Sequence, residues 1–368
     1  MKEKKIDKFF LTITLILIGL GVAMFVSASL GILVKDEKTF FSVLFSQLIL
    51  GLGFGLLGMF FCLKVNYKFW RKYAFVIFFS SILLTAAVFI PHVGLIHGGA
   101  KRWIKLGPLG TLQPVELLKF GFVIYFAAWL SWAKNRVKDL KFGILPFGLM
   151  LAIIAVILFK QPDTKSFILI VVTGISMLFI SGVPVKYILG IGAGILVALG
   201  LLVTFTPYLQ ARVKTFMDPS QNIQGSSYQI QQSYIALGSG GILGRGFGQS
   251  IQKFSYLPEP QGDSVFAVLG EELGFIGAVA TILLYAFFAL RGLHIANNSP
   301  DLFSILLVSG IVIMITAQSF MNIASIIGVF PLTGVPLVFM SQGGTSYMID
   351  LLAIGIVFQI SKFQNKNS

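Results

Sequence analysis

Ten apolar stretches, each long enough to cross a hydrocarbon layer about 30 Å thick, divide this chain of 368 residues. That recurrence constrains the fold before any motif is read, because a segment inside lipid has to satisfy its own backbone hydrogen bonds, as a helix does. The stretches fall at 9–34, 39–63, 74–93, 114–133, 143–159, 166–182, 187–206, 264–290, 301–329 and 344–361. The expected fold is therefore all-α: a polytopic membrane protein with ten transmembrane helices in a single membrane domain, residues 1–368. Composition agrees, since 36 Phe stand against 14 Asp plus Glu and charged residues make up only 11%. No water-facing surface carries that balance, so disorder and a nucleic-acid-binding domain are excluded. The basic run from Met1 to Lys8 leads into an apolar stretch too long for a signal-peptide core and without a small-residue cleavage site, so a retained first span is expected.

The net charge of +14 lies in short loops between the spans. Sixteen Lys and Arg fall on the side of the termini, among them Lys64, Lys68, Arg71, Lys72, Lys134 and Arg136, against eleven on the other. Ten crossings and this bias place both termini in the cytoplasm of a cell membrane with anionic lipids. One outer connection stands out: 207–262 is a large loop between the seventh and eighth spans, much longer than the usual few residues. Its start, Tyr208 to Met217, has the pattern of a short amphipathic helix, and Gly238 to Gly248 is rich in glycine. A second outer loop, Gly94 to Gln113, carries Lys101, Arg102, Trp103 and Lys105.

Ionisable residues within spans are functional candidates, because lipid tolerates them only where they face protein or water. Glu116 and Lys119 are three apart on one helical face and can pair, either as a structural bond or along a path for a headgroup. Glu271 and Glu272 are adjacent, point in different directions and make no acid/base dyad; Asp350 has no evident partner. Asp263 lies where the long loop returns to the membrane. It has two readings: a base at the water–lipid boundary, or an N-cap for the following helix with Ser264 as competitor. Cys62 sits alone in an apolar run and reads as packing. His92, His97 and His294 have no zinc spacing. The stretch Gly244-Arg245-Gly246-Phe247-Gly248 superficially resembles a phosphate loop but lacks its strand and helix.

Taken together and in order, several motifs resemble the FtsW/RodA/SpoVE family over nearly the whole chain. They are Gly99-Ala100-Lys101-Arg102-Trp103-Ile104, Leu106-Gly107, Gln113-Pro114-Val115-Glu116-Leu117-Leu118-Lys119 and Gln161-Pro162-Asp163. In the long loop come Phe216, Asp218-Pro219, Tyr228-Gln229, Gln232-Ser233 and Ala236-Leu237-Gly238-Ser239-Gly240-Gly241. Leu257-Pro258-Glu259 through Asp263, Gly270-Glu271-Glu272-Leu273-Gly274, Pro331 to Pro336 and Ser341 to Ser346 close the series. Gly246-Phe247-Gly248-Gln249-Ser250 with Gln252-Lys253 looks most like the division branch. The chain departs from the family at Val115, at Thr164-Lys165-Ser166 where Leu-Gly-Thr is common, at Gly262 and Ser264, and at Gln342.

The resemblance implies a peptidoglycan glycosyltransferase that polymerises lipid II in septal wall synthesis and releases undecaprenyl pyrophosphate. It places the family's essential aspartate on Asp263 as the catalytic base. External groups expected to bind substrate are Lys101, Arg102, Arg212, Lys253 and Glu259, with Trp103 either stacking on sugar or anchoring at the interface. Gln232, Ser233, Glu116, Lys119, Glu271 and Glu272 are expected in structural or cavity-lining roles. A divalent cation such as Mg2+ would assist the pyrophosphate; no organic cofactor is implied. Expected partners are a class B penicillin-binding transpeptidase, since this chain lacks a Ser-x-x-Lys set with its companion motifs, and other division proteins. Two rival functions are a lipid II transporter and a non-catalytic division scaffold. Candidate groups crowd toward the external end, whereas a transporter needs polar groups at mid-membrane depth.

Overall fold

The computed structural model of the protein describes residues 5–97, 100–105, 107, 110–218 and 226–364. Among the motif and loop residues named above, Gly99, Leu106 and Pro219 lie outside this set.

Asp7 starts the first helix, α1 (Lys8–Leu33), its carboxylate accepting the Phe10 amide. The second, α2 (Glu37–Lys64), is interrupted by a π-helical stretch at Ser46–Gly53. Such a bulge rotates side chains out of register. Here it accompanies the buried Gln47, whose amide donates to Ser341 O at 3.0 Å and accepts from Gly343 N at 2.8 Å. Helix α3 (Tyr67–Ala86) follows, capped by Asn66.

The next segment departs from the all-α expectation. Strands β1 (Gly94–His97), β2 (Ala100–Lys105) and β3 (Thr111–Leu112) form an antiparallel sheet in the order β1-β2-β3. The cause is local, because Ala100 and Ile104 are buried while Lys101 and Lys105 are exposed, the period of a half-buried strand. Apolar character running to Val93 made the third span look later than the helix, which ends at Ala86.

The remaining helices are α4 (Pro114–Ala133), α5 (Ile144–Lys160), α6 (Thr164–Ile180), α7 (Val185–Phe205), α8 (Pro207–Met217) and α9 (Ser226–Gly240). The short α10 (Gln252–Ser255), α11 (Val265–Asn297), α12 (Leu302–Ile326) and α13 (Gly344–Ser361) complete the chain. Among the described residues, eight helices are long and apolar enough to cross a membrane, and α5 and α6 are apolar helices of 17 residues. The most enclosed are α4, α12 and α13; at the other extreme, α7 buries no residue. Large apolar side chains such as Phe60, Phe61, Phe75 and Phe79 point outward, as a lipid-facing surface requires. Asp7 pairs with Arg291 at 2.7 Å and its amide donates to Ser361 Oγ at 3.3 Å, so the described chain starts and finishes at one end of the bundle.

One helix differs from the uninterrupted span expected at 264–290. Helix α11 breaks at Gly274 (φ 68°, ψ −168°), a conformation that favours glycine. Before the break, Val265 to Glu272 are buried in protein; after it, Phe275 and Ile276 face outward. The break frees backbone groups that the glycine-rich segment satisfies. Arg245 N and Gly246 N donate to Glu271 O and Glu272 O, both at 3.0 Å, and Phe275 N and Ile276 N donate to Gly241 O and Ile242 O at 2.9 and 3.2 Å. A Cβ on Gly244 would lie 2.2 Å from Glu272 O, so only glycine passes there. What resembled a phosphate loop is the splint of a broken helix.

Candidate active site

The buried half of α11 brings Asp263, two residues before the helix, to the sheet-bearing end of the bundle. Ser264 stands at the N-cap position without a side-chain cap bond; its hydroxyl donates to Pro258 O at 2.9 Å and accepts from Gln229 Nε2 at 3.0 Å. Asp263 makes no cap either, and its side chain lines a cavity of about 150 Å³. The lining also includes Arg102 from β2, Lys165 from α6, Tyr208 and Arg212 from α8, and Thr333 and Gly334.

Backbone carbonyls fix the three cations. Arg102 Nε donates to Gln161 O at 2.9 Å and its Nη2 to Pro162 O; Arg212 Nη1 donates to Leu332 O at 2.6 Å; Lys165 Nζ donates to Gly334 O. The point where a Cβ of Gly334 would lie is 2.9 Å from Asp263 Oδ2 and 3.8 Å from both Arg212 Nη2 and Lys165 Nζ. Burial draws the Arg212 guanidinium below its ordinary value and nearby Arg102 adds to this, while Tyr208 and Asp263 oppose it. It remains a cation. Asn322 holds the Asp263 backbone from behind, its amide donating to Asp263 O at 2.8 Å and to Val335 O at 2.7 Å.

Three cations around one carboxylate suit a polyanion whose neighbouring hydroxyl is to be deprotonated. They do not suit a resident divalent ion. Among the described residues no group of three His, Cys, Asp or Glu gathers, and Asp263 is the one carboxylate lining this cavity. A divalent ion held by protein groups alone does not fit these residues.

Of the residues singled out from sequence, the structure brings Asp263, Arg102 and Arg212 together here. Lys101 is exposed on β2, and Trp103, paired with Leu95, is half-buried; neither lines the cavity. Glu259 is an exposed turn residue at φ 46° whose carbonyl accepts Gly262 N at 2.9 Å. Lys253, expected to meet pyrophosphate, is 2% exposed, with its Nζ 2.7 Å from Glu272 Oε1 and within bonding distance of Ser27 Oγ and Gly248 O. Glu271 accepts Ser250 Oγ at 2.6 Å and Ile251 N at 3.1 Å, so both glutamates hold the glycine-rich segment. Ser233 bonds back to Gln229 O at 2.8 Å, and Gln232 is half-buried on α9.

Glu116 and Lys119 do pair, at 2.8 Å and almost fully buried. Lys119 also donates to Gln318 Oε1 at 2.7 Å and Glu116 accepts Ser346 Oγ at 3.1 Å, joining α4 to α12 and α13. Asp350 shares Ser346 with that cluster, which supplies its missing partner. Sequence reasoning missed Lys165, Gly334 and Tyr208 as cavity residues. The available signal for Lys165 was a cation two residues after Asp163 of Gln161-Pro162-Asp163.

The family model FtsW/RodA/SpoVE, described as "Cell cycle protein", matches residues 7–366. The chain belongs to this family. Stage V sporulation protein E of Bacillus subtilis (strain 168) is 35% identical, with 98% of each chain covered. A "Probable peptidoglycan glycosyltransferase FtsW" of Geobacter sp. (strain M18) is also 35% identical, with 96% of each covered. Identity over the chain therefore does not separate the division and sporulation branches of the FtsW/RodA/SpoVE family. Among solved structures, a chain from "Structural coordination of polymerization and crosslinking by a peptidoglycan synthase complex" is 26% identical with a TM-score of 0.80, covering 98% of this chain and 99% of that one. The rod shape determining protein RodA of Thermus thermophilus is 25% identical, with a TM-score of 0.70 and 98% of each covered.

Proposed function

We propose that this chain is a peptidoglycan glycosyltransferase that joins lipid II units into glycan strands. The observation that carries this reading is the grouping of the Asp263 carboxylate with Arg102, Lys165 and Arg212 in one cavity. In the reaction, the 4-hydroxyl oxygen of an acceptor GlcNAc bonds to C1 of a donor MurNAc with inversion. The C1–O bond to the lipid diphosphate breaks and its electron pair leaves with the diphosphate. Asp263 takes the acceptor's hydroxyl proton as the new bond forms, and the cations meet the charge that develops on the leaving group. Their anchoring by backbone carbonyls means that little reorganisation is needed as that charge appears.

The buried polar groups weigh against transport. Glu116, Lys119, Gln318 and Ser346 are bonded to one another, and Gln318 Nε2 reaches Pro336 O at 3.3 Å. Such a cluster braces the segment that carries Gly334 rather than lining an alternating path. The membrane arrangement that goes with this reading has ten crossings, counting α5 and α6, with cytoplasmic termini and the cavity outside. The protein works in the cell membrane at the division septum beside a class B penicillin-binding transpeptidase and other division proteins. Co-expressed with that transpeptidase, the two co-elute from detergent and the partner raises polymerisation; separate elution with unchanged activity would remove the partnership. Reconstitution with purified lipid II, reading glycan products by gel beside an assay of headgroup flipping, tests the enzyme against the transporter.

A further inference from the structure

Lys165 occupies the first turn of α6. A cation at a helix N-terminus opposes the helix dipole. It is also half-buried, and the bond it makes is to the carbonyl of Gly334. Neither feature favours lysine for the fold. Both place an ammonium within reach of the point shared by Asp263 Oδ2 and Arg212 Nη2.

Resting on the function proposed above, we propose that Lys165, with Arg102 and Arg212, takes the part of a divalent cation toward the donor's diphosphate, so that transfer at this site proceeds without a metal ion. The charges match. Three cations and one carboxylate leave two positive charges, and a diphosphate esterified at both ends carries two negative ones. When the C1–O bond breaks, the released oxygen gains a further charge while Asp263 becomes neutral by accepting the hydroxyl proton. The balance around the cations is thereby preserved through the step. The Lys165 ammonium, held on the carbonyl of Gly334, adds a compact point charge to the two guanidinium groups held on Gln161, Pro162 and Leu332.

Two measurements test this. In the first, inorganic pyrophosphate is titrated into the detergent-purified protein in EDTA and followed by calorimetry. Binding is expected without added metal, and Lys165→Gln should weaken it by about tenfold or more, with Lys165→Arg recovering most of the loss. Absence of binding by the unmutated protein until Mg2+ is added, or equal binding by Lys165→Gln, overturns the proposal. In the second, polymerisation of lipid II is compared in EDTA and in Mg2+. The unmutated protein should differ by no more than about twofold, whereas Lys165→Gly should lose about tenfold in EDTA and regain it with Mg2+. Loss of the unmutated protein's activity in EDTA also overturns it. If no polymer forms in any condition, the proposed function fails, and the pyrophosphate titration still decides the role of Lys165. Thermal unfolding of each variant identifies a loss that comes from misfolding.

Discussion

Gly334 abuts the carboxylate of Asp263 so closely that a Cβ on it would lie 2.9 Å from Oδ2. Its φ of 66° also disfavours other residues. Gly334→Ala should therefore displace the proposed base and lower polymerisation by more than about tenfold, since alignment at a reacting centre tolerates little error. The backbone strain adds only about 1–2 kcal/mol, so the variant should remain folded. Steady-state polymerisation with thermal unfolding in parallel checks this; normal activity would mean that the carboxylate works from another position.

Lys253 and Glu272 form an ion pair with both side chains fully buried. Lys253→Met leaves Glu272 charged without its partner and should destabilise the protein by about 3–5 kcal/mol. Combining it with Glu272→Gln, which removes the unpaired charge and keeps one acceptor oxygen for Gly248 N, should recover part of that loss. A double-mutant cycle by denaturation reads the coupling. Additive losses, or a Lys253→Met protein of unchanged stability with weakened lipid II binding, would return Lys253 to the substrate.

At the opposite end, burial raises the Asp7 pKa, but hydrogen bonds from Arg291 and the Phe10 amide, with the charges of Arg291 and His294, outweigh it and hold the carboxyl below its ordinary 3.8. A depressed pKa contributes stability that is present above the unfolded value and lost as pH falls through the folded one. Unfolding followed from pH 6 to about pH 2 should thus show a loss concentrated below about pH 4 that Asp7→Asn reduces. The same acid profile in Asp7→Asn would remove Asp7 from the account.

Ser255 is exposed on α10 within 207–262, whereas Cys62 is fully buried. Ser255→Cys should therefore react with a membrane-impermeant thiol reagent in intact cells, with the unmutated protein as background and outer-membrane access controlled. Reaction only after lysis would invert the topology.

Much of the architecture was legible because lipid makes apolar length a direct record of helices: α4 and α13 coincide with their apolar runs. The break at Gly274 was not, since Val265 to Leu269 are as apolar as the residues that follow Gly274, and hydropathy does not distinguish protein from lipid. The sheet was hidden for a related reason, its alternation being only a few residues long. Within the site, Asp263, Arg102 and Arg212 carried charge at the expected end. Lys253 carried charge there too, but its partners Ser27 and Glu272 are remote in sequence, so its burial had no local signal. Gly334 matters for the side chain it lacks, which only packing against Asp263 reveals.

The central claim is that Asp263 is the base of a polymerase, and Asn at this position keeps the shape of the carboxylate while removing its basicity. Purified Asp263→Asn, reconstituted with lipid II and a transpeptidase partner, should fold and bind that partner. It should form glycan at least about 10²-fold more slowly than the unmutated protein, the scale of general base catalysis. Normal polymer from Asp263→Asn, or flipping without polymer from the unmutated protein, would contradict the account.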